Sequence, residues 1–147
     1  MTDMIEVKTA DLSGLALDWA VGIADGRELE LPSQFRSRTC VVWCDPYVVK
    51  REGNPDFHDK TRRQWKPTTD WAHGGPLIDR HHVQTSFNGT GFSRSPTGEH
   101  WCAYVCLDSG AEVHPSGSGP SALIATCRAI VAAKLGDTVQ VPKELQP

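Results

Sequence analysis

Ser116-Gly117-Ser118-Gly119-Pro120-Ser121-Ala122-Leu123-Ile124-Ala125-Thr126-Cys127-Arg128-Ala129-Ile130-Val131-Ala132-Ala133-Lys134-Leu135-Gly136 reads as a helix with both ends marked. Pro120 suits a first helical position, where its missing N–H costs nothing. Gly136 is a stop signal. Leu123, Ile124, Cys127, Ile130, Val131 and Leu135 recur at helical spacing and form one apolar stripe. A helix over about 120–135 with such a stripe needs a sheet or a second helix to bury it.

The second helix comes near the start. Ile5-Glu6-Val7-Lys8 is a short strand, and Thr9 is the cap of a helix over about 9–25 that stops at Gly26. Leu12, Leu15, Ala16, Trp19, Ala20 and Ile23 share its apolar face. Strands are expected at Thr39–Cys44, with Tyr47–Lys50 continuing beyond Asp45-Pro46, and at Val83–Phe87, His100–Leu107 and Ala111–Val113. Thr138-Val139-Gln140-Val141-Pro142 is an extended tail. Turns are expected at 88–91, 95–98 and 108–110, and a connecting loop at 26–38. These elements make an α+β fold: a small antiparallel sheet with two helices packed on one face. The length suits a single domain over 1–147.

Residues 51–67 are polar and turn-rich, and read as a long surface loop. Lys60, Arg62, Arg63 and Lys66 surround Trp65 there. Cations about an aromatic ring suit a phosphate-bearing ligand or a single strand. The next segment, Thr68-Thr69-Asp70-Trp71-Ala72-His73-Gly74-Gly75-Pro76-Leu77-Ile78-Asp79, carries an acid, an indole and an imidazole beside a Gly-Gly-Pro hinge. It makes a poor central strand and a poor long helix. Trp71, His73, Gly74 and Gly75 are therefore candidate ligand contacts. Asp70 and His73 are weak candidates for a catalytic dyad, against the commoner use of such an Asp as a local cap.

Gly117, Ser118, Gly119 and Ser121 precede a helix start, where open backbone N–H groups and the helix dipole favour a phosphate. Arg62, Arg63 or Arg94 would close over it. The stretch is neither a Walker loop nor a dinucleotide fingerprint. His-Glu-x-x-His and Gly-x-Ser-x-Gly are missing. His81 and His82 are adjacent, and on a strand would face opposite sides. The balance of motifs leans away from an enzyme.

The net charge of −3 gives no overall basic field for nucleic acid. No apolar run is long enough to span a bilayer, and the acidic start lacks a signal core, so a cytoplasmic protein is expected. Five cysteines, an odd number, suit free thiols in a reducing compartment. Cys40/Cys44 and Cys102/Cys106 share a spacing, but on strands such residues lie roughly 13 Å apart. One tetrahedral zinc cannot hold both sulfurs of such a pair, so no metal and no cofactor is expected.

Three segments together resemble the phage NinX family: Val7-Lys8-Thr9 with Leu12–Val21, then Thr69–Ile78, then Ala125–Pro142. Residues 27–66 and 84–118 carry no part of the resemblance. It implies a small accessory protein of tailed phages or prophages, made in the host bacterial cytoplasm from genes that lie among early accessory genes, some concerned with recombination. The family name brings no catalytic residues with it. The expectation is a non-enzymatic binder of a nucleotide-type immune signal or another small phosphorylated ligand, held by loops and across a homo-oligomer interface, and serving anti-defence. A nucleic-acid or recombination accessory factor, a small hydrolase of phosphorylated ligands and an inhibitor of a host protein are the alternatives.

Overall fold

A computed structural model describes residues 3–31, 41–50, 58–87, 101–106 and 115–145. Along the chain run β1 (Met4–Lys8), α1 (Gly14–Ala24), β2 (Leu29–Glu30), β3 (Val41–Lys50), β4 (His58–Trp65), α2 (Trp71–Arg80), β5 (Val83–Phe87), β6 (Trp101–Val105), β7 (Ser116–Gly119), α3 (Ala122–Leu135) and β8 (Thr138–Pro142). Single 3-10 turns follow β1, at Thr9–Asp11, and β8, at Lys143–Leu145. Among the described residues the strands form three antiparallel sheets: β1–β8, β2–β3–β4 and β5–β6–β7. The α+β class expected from the sequence stands, with three helices rather than two and three small sheets rather than one among the described residues.

α3 is the centre. Ala122, Leu123 and every residue from Ala125 to Val131 are buried. Burial therefore wraps around the helix instead of following one stripe, as it must for a helix packed on more than one side. It lies against α1 and against the β5–β6–β7 sheet. Trp101, Ala103, Gly117 and Gly119 are cross-strand partners, so they share the sheet face turned to α3. The approach is close: a Cβ on Gly117 would lie 2.5 Å from the Ala129 nitrogen, and one on Gly119 2.7 Å from Ile124 Cγ2.

Several elements differ from the sequence reading for identifiable reasons. The first helix begins at Gly14, because Thr9 is used elsewhere: its hydroxyl donates to Gly136 O at 2.6 Å and its N–H to Asp137 O at 2.8 Å. Gly26 does end α1, in the left-handed region at φ 76°. The supposed loop at 51–67 contains β4, paired along β3 with a register shift between Asp45 and Val48, beside the expected Asp45-Pro46 interruption. Its polar sequence hid a strand whose backbone bonds come from its partner; residues 51–57 lie outside the described set.

The Gly-Gly-Pro segment is the helix α2, with Pro76 inside it. Pro76 and Ala72, whose carbonyl loses a donor, are both exposed, so water can satisfy that carbonyl. The stretch before α3 is the strand β7, not an open loop. Ser121, not Pro120, starts the helix: its hydroxyl accepts the Ile124 N–H at 3.2 Å. His81 and His82 form the turn between α2 and β5, not a strand. The expected strand at 111–113, the turns at 88–91, 95–98 and 108–110, and Arg94 lie outside the described residues.

Candidate functional site

The residues singled out around Trp71 separate into structural and free ones. Asp70 caps α2, its Oδ1 accepting the Ala72 N–H at 2.9 Å. His73 Nδ1 accepts the Lys66 N–H at 3.0 Å, and its ring stacks on Trp65. Asp70 and His73 are thus each committed to backbone, and do not pair as a dyad. Trp65 is buried; its indole N–H donates to Asp18 O at 2.8 Å, and the Arg27 guanidinium lies 4.0 Å over its ring. It is a core residue, not a loop contact. A Cβ on Gly74 would meet Leu123 Cδ2 at 2.6 Å, so Gly74 is there for close packing. Trp71 is different: it is 59% exposed at the start of α2. Arg62 and Arg63 belong to β4, and only their backbone is described.

Two buried acids hold this region together. Asp18 Oδ1 accepts the Thr68 N–H at 3.0 Å. Burial pushes its carboxyl up to about 6, against the Thr68 hydrogen bonds and the Lys66 charge, which pull it down. Burial, with Asp18 nearby, pushes the Cys127 thiol well above the usual range, which makes it inert. Asp25 sits at the end of α1 and gathers Arg27 (2.8 Å), Arg80 (3.1 Å) and His81 (2.8 Å), which ties α1 to the end of α2. His81 is thereby a structural residue. Among the described residues no group of three His, Cys, Asp or Glu is placed to hold a metal ion.

A space able to take a ligand lies elsewhere, at the edge of β7 that has no strand partner among the described residues. A cavity of about 510 Å³ opens there, within the range of small-molecule sites. Gly117 and Ser118 of β7 and Cys102 and Tyr104 of β6 line one wall; Arg128 and Ala132 of α3 line another. Lys8, Thr9 and Asp137 close it from the β1–β8 side.

The ladder sets what β7 offers. Val105 N–H donates to Pro115 O, so Pro115 bonds toward β6 and Ser116 points its backbone groups away from β6. Ser118 does the same, and its carbonyl accepts Arg128 NH1 at 2.7 Å. Arg128 Nε also donates to Leu12 O at 3.0 Å, bridging β7 to the start of α1. Among the described residues neither the Lys8 ammonium nor the Asp137 carboxylate has an ion-pair partner.

Of the four residues proposed for a phosphate cradle, Gly117 and Ser118 line this cavity; Gly119 is packed under Ile124 and Ser121 caps α3. Lys8, Tyr104, Arg128 and Asp137 were not singled out as ligand contacts. They come from distant parts of the chain, and no local pattern joins them.

An α+β scaffold with one helix buried at its centre and a cavity at an open sheet edge is the class of protein this fold defines. The chain belongs to the phage NinX family: the family described as "Bacteriophage P22, NinX" matches residues 8–134. The match runs from the last residue of β1 into the last turn of α3. No curated protein matches the chain. Among the described residues no helix is long and apolar enough to cross a membrane.

Proposed function

We propose that this phage protein is a non-enzymatic binder, acting in the cytoplasm of the infected bacterium, that holds a small phosphorylated ligand such as a nucleotide-type immune signal and so serves the phage against host defence. The observation that carries the reading is the β7-edge cavity, with a lysine ammonium on its rim that has no ion-pair partner among the described residues. The outward backbone N–H and the hydroxyl of Ser116 supply hydrogen bonds an anion needs beside Lys8. The hydrolase alternative loses its residues, since Asp70 and His73 serve the backbone. A recombination factor remains disfavoured by the charge of −3.

A second reading, inhibition of a host protein, is favoured by the exposure of Trp71, because exposed tryptophans anchor interfaces. Native mass spectrometry of protein taken from infected cells tests both. The proposal expects a small phosphorus-containing adduct on the wild type that is lost in Lys8→Gln with unchanged thermal unfolding. An adduct retained in Lys8→Gln, or a host protein bound in place of any small molecule, overturns it.

A further inference from the structure

Resting on that reading, we infer that the cavity is built for a ribonucleoside monophosphate, with the phosphate at Lys8, the base on Tyr104 and the ribose hydroxyls at Asp137. Three side chains of unlike chemistry line one space, and each asks for a different part of a ligand.

Tyr104 is 38% exposed, although it sits in the middle of a sheet. Its strand neighbours Ala103 and Val105 turn inward to the core, so Tyr104 turns to the opposite face. Ser116 is its partner across the ladder. A large ring beside a small residue leaves its π-face open to a flat group, and bases of any identity stack on such a face.

Asp137 looks misplaced in an anion site, because a carboxylate repels phosphate. It is nevertheless fixed there: its carbonyl accepts the Thr9 N–H, and its neighbour Thr138 pairs with Lys8. Lys8 and Asp137 are thus held near each other without forming an ion pair. An ionised carboxylate only accepts hydrogen bonds. A ligand that fits it must offer donors, and the vicinal hydroxyls of ribose are the group that acidic residues take in nucleotide sites. The charges also limit the phosphate count. The Arg128 guanidinium gives its hydrogen bonds to the neutral carbonyls of Leu12 and Ser118, so it keeps its charge, and with Lys8 it stands against the single Asp137 carboxylate. That small positive excess suits one phosphate and opposes a triphosphate chain.

Calorimetry on the full chain tests this with a ribonucleoside monophosphate, its 2′-deoxy counterpart, the triphosphate, ribose 5-phosphate and inorganic phosphate. The monophosphate is expected to bind best. Tyr104→Ala should weaken it about ten-fold while leaving ribose 5-phosphate unchanged, and Tyr104→Phe should keep it. Asp137→Asn should remove the preference for ribose over deoxyribose and improve triphosphate binding. Equal binding of the monophosphate and ribose 5-phosphate, both lost in Lys8→Gln, overturns the inference and leaves the phosphorylated-ligand reading standing. Absence of binding by every probe also overturns the inference, and the mass spectrum of protein from infected cells then judges the wider reading by itself.

Discussion

His73 lies over Trp65 with ring centroids 5.8 Å apart and planes only 17° from parallel. The stack joins the first turn of α2 to the end of β4, and the Lys66 N–H donated to His73 closes the link. His73→Ala removes the stacking face and leaves that N–H without its acceptor. It should cost about 1–3 kcal/mol of stability in urea unfolding. Trp71→Ala, at an exposed neighbour, should stay within about 0.5 kcal/mol of wild type. Equal losses for the two would show that the stack contributes nothing.

Asp18 should make stability depend on pH in an uncommon direction. Its folded carboxyl is raised by burial from 3.8 to about 6, so the folded state holds the proton more tightly than the unfolded chain. The contribution is full below about pH 4 and is lost as pH rises through 6. A shift of about two units corresponds to roughly 3 kcal/mol as an upper value. Asp18→Asn keeps an acceptor for Thr68 and carries no charge. It should therefore be more stable than wild type at pH 7.5, with the gap closing toward pH 4. A gap that does not change with pH would show that Asp18 ionises normally.

Gly119→Glu should fail to fold rather than fold without binding. The new Cβ would press on Ile124 and on the Ala125 backbone, which cannot move without shifting α3. Gly117→Ala, whose new Cβ would meet the Ala125 and Ala129 backbone, should also be strongly destabilising, by about 3 kcal/mol or more. A normally melting Gly119→Glu would mean that β7 can lift away from α3.

Ile130 is fully buried in α3. Ile130→Asp places an unpaired charge at the centre of the molecule and should cost more than about 4 kcal/mol, seen as loss of the folded signal in circular dichroism. A cooperative melt close to wild type would place this side of α3 in water.

Elements governed by local pattern were legible in the sequence. β1, β5, β6 and β8 alternate or are β-branched, and α3 carries a helical apolar repeat between an entry signal and Gly136. β4 was not legible, because His58–Gln64 is polar throughout and its pairing with β3 is a tertiary fact. α2 was hidden by Pro76, whose cost falls on an exposed turn where water absorbs it. The cavity was illegible for a deeper reason. Lys8, Tyr104 and Asp137 meet only after β1 pairs with β8 and β7 with β6. Ser118 and Gly117 were singled out for an anion, but on the argument of a helix start rather than of a sheet edge. The matched range includes the segments that carried the family resemblance except Val7 and residues 135–142.

The pairing of β1 with β8 also sets a timetable. Thr9 and Gly136, joined by a hydrogen bond, stand 127 residues apart in sequence. During synthesis the first strand must wait, its edges unmatched, until the last one has left the ribosome. The rim that carries Lys8 therefore cannot close before β8 is made, and a nascent chain halted before residue 138 has α1 and most of its core sequence but an unfinished cavity.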